Sequence, residues 1–120
     1  MEYDEIDLSD WDPRTLEIVD KYNDLRGKFK HWMRQFHGKT KLVELTYLRH
    51  IGMKIYGRSL DKRGSDSEED QQIAIDAAIE ARSVFDLFRE LDTTEDSERA
   101  GYIRIFYEQI DSFLKIVSNR

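Results

Sequence analysis

Between Ile18 and Phe36 six apolar side chains, Ile18, Tyr22, Leu25, Phe29, Trp32 and Phe36, recur at intervals of 4, 3, 4, 3 and 4 residues. At about 100° per residue that rhythm holds all six in one narrow stripe of an α-helix. The stripe is a core face or a coiled-coil seam. One Pro, six Gly and 37% charged residues agree with a highly helical chain whose outer faces are charged. The 120 residues suit one small domain and leave no room for two independently folded enzyme domains. With no cysteine, disulfides, Cys-ligated zinc, iron–sulfur clusters and a thiol nucleophile are excluded, as suits a reducing compartment.

Four helices are expected. Residues 1–11 form an acidic N-terminal tail in which Tyr3, Ile6, Leu8 and Trp11 interrupt the acids, too few to build a core and enough to dock on one. Asp12 followed by Pro13 is a helix start, because Asp caps free amides and Pro gives up an N–H that has no partner in a first turn. The first helix is predicted over residues 12–37, stopped by Gly38, and the second over 41–56, with Leu45, Leu48 and Ile55 toward the core. Gly57 to Ser67 combines turn residues with no apolar period and reads as the one long, mobile loop. Ser67, followed by Glu68, Glu69 and Asp70, opens a third helix over 68–91, with Ile73, Ala77, Ala81, Val84, Phe88 and Leu91 inward and Ala74 and Ala78 permitting close approach. Thr93 and Asp96 resemble a capping pair before a fourth helix over 94–118, whose inner side is Tyr102, Phe106, Ile110, Phe113 and Val117. Short links make neighbours antiparallel, so the expected fold is an all-α, antiparallel up-and-down four-helix bundle forming one domain over 12–120.

Charge is unevenly distributed. Residues 1–20 carry eight acids and one base, residues 21–63 twelve bases and three acids, and residues 64–120 six bases and fourteen acids, within a net charge of −6. Such asymmetry speaks of electrostatic partners rather than of fold. Arg26, Lys30, Arg34, His37 and Lys41 fall on one flank of the first predicted helix, away from the apolar stripe. On the second, Val43, Tyr47, His50, Lys54 and Arg58 share a face opposite the core, setting an aromatic beside cationic groups. A polyanion backbone or an acidic protein surface could lie along both ridges, since phosphate neutralisation needs regularly spaced cations. On the third, Ile75 and Ile79 lie opposite the core residues and extend an apolar strip with Leu87, a surface for a partner protein or for a homo-oligomer.

Catalytic patterns are weaker. His50 resembles the phosphorelay histidine of histidine-phosphotransfer bundles, but that family places Lys and Gly three and four residues onward, where this chain has Met53 and Lys54. Arg26 and His31 have the Arg-x4-His spacing of a helical ribonuclease family, yet that spacing sets them on different sides of one helix. Glu68, Glu69, Asp70, Asp76 and Glu80 are explained by a helix start and a wet face rather than by a hard metal. No catalytic residue, metal or cofactor is expected. Neither a secretory signal nor an apolar run of membrane-spanning length is visible, so a cytoplasmic chain without membrane contact is expected.

Two stretches, Leu42-Val43-Glu44-Leu45-Thr46-Tyr47-Leu48 through Gly57-Arg58-Ser59, and Phe106 through Val117, resemble helices of the small helical subunits of type III CRISPR effector complexes. The resemblance covers about a quarter of the chain and rests on apolar spacing; the aromatic-Gly-Gly ending of the pattern is replaced by Val117-Ser118-Asn119. It implies a non-catalytic subunit of an RNA-guided nucleoprotein, with Lys54 and Arg58 facing a nucleic-acid strand. The expected function is thus a non-enzymatic interaction module using a basic helical face. The alternative is a small protein-binding regulator or adaptor, such as a phage-type inhibitor, whose acidic ends grip a basic partner.

Overall fold

The computed structural model describes residues 10–22, 40–92 and 97–118. Every regular element among them is helical: α1 Pro13–Lys21, α2 Thr40–Arg63, α3 Glu68–Leu91 and α4 Ser97–Ser118. The chain divides into two compact units, Met1–Tyr47 and Leu48–Arg120, and the division falls inside α2.

In the first unit Asp12 caps α1 as its sequence requires. The Asp12 carboxylate accepts the Arg14 N–H at 2.9 Å and, through both oxygens, the Arg14 guanidinium, also at 2.9 Å. Those bonds hold the Asp12 carboxyl down at about 2, against an ordinary 3.8, the Arg14 side chain being the larger cause. Pro13 occupies the first turn. The other end of α1 departs from expectation: the helix stops at Lys21 rather than near His37, because Tyr22 leaves the helical region (φ −110°, ψ 41°) while its N–H still closes on the Ile18 carbonyl at 3.0 Å. Of the predicted stripe, Ile18 and Tyr22 are half-buried, and Leu25, Phe29, Trp32 and Phe36 lie outside the described residues.

Glu44 joins α1 to the start of α2. Its side chain is fully buried; one oxygen accepts the backbone N–H of Asp12 at 2.9 Å and the other the Lys41 ammonium at 2.9 Å. A carboxylate so enclosed is tolerated because both oxygens are occupied, one by a charge. Trp11, the last residue of the expected acidic tail, is buried with its ring 5.8 Å from that of Tyr47. The indole N–H of Trp11 and the hydroxyl of Thr15 are buried without a hydrogen-bond partner.

The second unit is held differently. Leu48, Ile51, Ile55 and Tyr56 of α2 are buried with Ala74, Ala77, Ala78, Ala81, Val84, Phe85, Leu87 and Phe88 of α3 and Ile103 and Ile110 of α4. Gly52 faces the Phe85 ring so closely that a Cβ there would sit 2.8 Å from Cδ1 and 2.9 Å from Cζ, inside contact distance. Seven residues on, Ser59 Oγ donates to the Ala74 carbonyl at 2.8 Å in a fully buried bond. Small residues at 52 and 59 thus let α2 take the Phe85 ring and the Ala74 carbonyl of α3 at close range. Against α4, α3 sets Phe85 beside Phe106 (6.0 Å, stacked), Arg82 on Asp111 (2.9 Å) and Asp86 near the Tyr107 hydroxyl (3.4 Å). The Tyr56 hydroxyl of α2 donates to Gln109 of α4 at 2.6 Å.

The expected loop over Gly57 to Ser67 is a correction. α2 continues through Gly57 to Arg63, leaving only Gly64–Ser67 as a link. Tertiary contact decides the matter. Gly57 costs about 1 kcal/mol in a helix interior, but Tyr56 and Ser59 on either side of it are anchored by hydrogen bonds, that of Ser59 buried and that of Tyr56 partly so, and Lys62 and Arg63 suit a helix C-terminus. The link is itself bonded: the Gln71 side-chain amide donates to the Arg63 carbonyl at 3.0 Å and to the Ser65 carbonyl, and the Ser67 N–H donates to Ser65 Oγ at 3.1 Å. Ser67 then caps α3, accepting the Asp70 N–H at 3.4 Å, with Glu68, Glu69 and Asp70 in the first turn as expected. The Thr93–Asp96 pair lies outside the described residues. In α4 Ile110 is buried as expected, with Phe106, Phe113 and Val117 half-buried, but in the first turns Ile103 is fully buried and Tyr102, expected inside, is exposed.

Candidate functional site

The basic ridge survives in part. Arg26, Lys30, Arg34 and His37, together with the Arg26–His31 pair, lie outside the described residues. Lys41 is exposed, but its ammonium is engaged by Glu44. Tyr47, read as an exposed stacking face, is buried. The reason is positional: Tyr47 shares a helical face with Lys54 and Arg58, but Trp11 packs against that face at the start of α2, and Val43 is buried there with it. One helix face is therefore covered at Val43 and Tyr47 and open at Lys54 and Arg58, both exposed and one turn apart. His50, between them, is half-buried; burial first, then the charges of Lys54 and Arg49, push its imidazole below 6.5. That environment favours the neutral ring over an imidazolium resting on phosphate.

The predicted apolar strip is also reduced. Leu87 is buried and belongs to the core of the second unit, Ile75 is half-buried, and Ile79 alone of the three is exposed. A shallow depression beside them is lined by Ile75, Ile79, Leu114 and Val117 and crossed by the Arg82–Asp111 pair.

A groove that sequence reasoning missed lies between α2 and α4. It measures about 590 Å³ and is walled by Tyr56, Arg63, Ile105, Phe113 and Ile116, with Glu108, Gln109 and Ser112 also on its α4 side. Arg63 stands at its α2 edge with the guanidinium carbon 3.7 Å from the centre of the Phe113 ring and 5.6 Å from that of Tyr56. Its Nε and Nη2 are closed to solvent without a hydrogen-bond acceptor, and burial pulls its pKa down. Two exposed bulky residues of α4 line this groove, Ile105 (48% exposed) and Ile116 (60%), and α2 exposes two more outside its lining, Met53 (45%) and Leu60 (47%). On α2 the 3- and 4-residue spacing of Met53, Tyr56, Leu60 and Arg63 sets exposed Met53 and Leu60 on one side with groove-lining Tyr56 and Arg63, a signal hidden because half of it falls in the segment read as loop.

Among the described residues no group of three or more His, Cys, Asp or Glu is placed to hold a metal ion, and no helix is long and apolar enough to cross a membrane. Glu68, Glu69 and Asp76 are exposed and dispersed along α3. Compared with known protein families, with curated proteins and with solved structures, the chain matches none.

Proposed function

We propose that this chain is a non-enzymatic module that works by binding another protein through the α2–α4 face of its second unit. One observation carries the reading: four of the exposed bulky apolar side chains, Met53, Leu60, Ile105 and Ile116, gather on the two helices that flank one groove. Scattered singly, such residues need no explanation; gathered along a groove, they mark a contact surface. Behind that face the helices are proposed to follow one another up and down. The support is in the contacts: rising residue number along α2 meets falling number along α3 (Gly52 with Phe85, Ser59 with Ala74), and the same inversion relates α3 to α4 (Phe85 with Phe106, Arg82 with Asp111).

A second reading, the one implied by the resemblance to small subunits of type III CRISPR effector complexes, is that Lys54 and Arg58 contact a nucleic-acid backbone. Their exposure one turn apart favours it; the burial of Tyr47 and the engagement of Lys41 remove two members of the expected ridge. Proximity labelling by the full chain, compared between Ile105→Asp/Ile116→Asp and Lys54→Glu/Arg58→Glu variants, separates the two. The protein-binding reading expects labelled proteins to vanish with the apolar pair changed and to persist with the basic pair reversed. Salt-dependent binding of generic RNA or DNA, lost on reversing Lys54 and Arg58 and untouched by the Asp substitutions, would replace it with the nucleic-acid reading.

A further inference from the structure

We infer that the α2–α4 groove takes a partner segment that presents one carboxylate between bulky apolar side chains, and that Arg63 is the residue that selects the acid. The inference rests on the protein-binding reading and names the chemistry of the partner. Three observations converge on it. The guanidinium of Arg63 rests one face on Phe113 at the edge of the groove, so a modest turn about that ring would bring its Nε and Nη2, closed to solvent as they stand, out to a ligand. Its Nε and Nη2 lack acceptors, while the residue as a whole remains partly exposed and lines the groove. An arginine does not escape such a setting by losing its proton, so the groove holds a positive charge that its hydrogen bond with the Tyr56 side chain satisfies only in part. A carboxylate supplies that acceptor in the forked geometry a guanidinium matches best.

The length of the apolar lining argues for a peptide segment rather than a compact molecule. Ile105 and Ile116 stand three helical turns apart on α4, about 16 Å along its axis. A carboxylate seated at Arg63 with apolar residues reaching toward both isoleucines would span that length, and Tyr56 and Arg63 form the α2 side of the groove. Glu108, the one acid among the described residues that line the groove, is exposed, and no ion pair among the described residues joins it to Arg63. It would compete with an incoming carboxylate, so neutralising it should tighten binding.

The test uses the full chain as bait for a phage-displayed library of random short peptides, followed by titration of the enriched sequences. Enriched peptides are expected to carry Asp or Glu flanked by Leu, Ile, Phe or Trp. Arg63→Met should weaken them by about tenfold or more, the loss attached to a charge-assisted hydrogen bond, with Arg63→Lys intermediate and Glu108→Gln equal to or tighter than the parent. Thermal melts of each variant check that the fold is kept. Peptides that lose affinity with Ile105→Asp/Ile116→Asp but bind Arg63→Met unchanged would overturn the role given to Arg63 and leave the protein-binding reading standing. Phenylacetate alone, binding as tightly as the peptides, would overturn the choice of a peptide occupant. Enriched peptides indifferent to both the apolar pair and Arg63, or no enrichment at all, would overturn the groove as a docking site; the labelling experiment then decides separately whether the α2–α4 face binds protein.

Discussion

The two ends of α2 are held by opposite means. At its start a buried carboxylate, Glu44, binds the N–H of Asp12 and the ammonium of Lys41, and neighbouring Trp11 and Thr15 bury polar atoms that find no partner. Farther along, Gly52 and Ser59 meet Phe85 and Ala74, through close apolar contact and one bonded hydroxyl. A polar joint is sensitive to the loss of one partner, because the other is stranded; an apolar joint is sensitive to volume. The two regions should therefore answer different substitutions.

The largest effect is expected at the apolar joint. Phe85→Ala should cost about 3–5 kcal/mol in urea unfolding, a large share of a small domain's stability. Gly52→Ala should cost about 1–3 kcal/mol in the parent because the new methyl strikes the Phe85 ring, and much less in a Phe85→Leu background. Equal costs in the two backgrounds would show that the ring is not what excludes a side chain at 52.

Glu44→Ala comes next, at about 2–3 kcal/mol, since it strands the Asp12 N–H and unties Lys41. Glu44→Gln keeps an acceptor for that N–H and should cost less. If the two substitutions cost the same, the bond to Asp12 carries none of the joint's stability. In the same region Thr15→Val should gain about 1 kcal/mol, replacing a buried hydroxyl without a partner by a methyl group of the same shape. A loss instead of a gain would mean that the hydroxyl is bonded in solution.

Two of the groups shifted by their surroundings extend the comparison to acid. The folded His50 pKa is depressed below 6.5, so the unfolded chain takes the proton more readily; its contribution is fully present above the unfolded value and declines as pH falls through the folded one. Asp12 obeys the same sign in a lower window: its cap is intact above the ordinary 3.8 and is lost as pH falls toward about 2. Melting temperature followed downward from neutral pH should show a mild first decline, removed by His50→Gln, and a later one, reduced by Asp12→Asn and shared by Asp70, whose carboxyl is also held low by its hydrogen bond with Ser65 and by Lys62. A first decline that persists in His50→Gln would assign it to another group.

Much of the local structure was legible from side-chain chemistry alone. Asp12-Pro13 and Ser67 with its acids start helices where expected, because the capping of free amides is decided within a few residues. Two misreadings share one cause. Gly57 and Ser59 have the composition of a turn, and only the Ala74 carbonyl, 15 residues away from Ser59, makes helix the better choice. Tyr47 and Leu87 were placed on outer faces by periodicity, which says which residues share a side but not where along the helix that side is covered. Arg63 was missed for both reasons, since it sat in the supposed loop and its partners Phe113 and Tyr56 are distant in sequence.

The four-residue link Gly64–Ser67 also bears on the order in which the chain folds. Gln71 clasps the Arg63 and Ser65 carbonyls, Lys62 reaches Asp70 at 3.5 Å, and Ser59 meets Ala74, so α2 and α3 are stitched together by residues near one another in sequence. Closing so small a loop takes little entropy, and contacts of short separation are the ones a chain makes earliest. The α2–α3 hairpin is thus the natural nucleus, with α4 condensing onto it afterwards. On that basis Gln71→Ala slows refolding more than it speeds unfolding, whereas loss of the Arg82–Asp111 pair acts mainly on the unfolding rate.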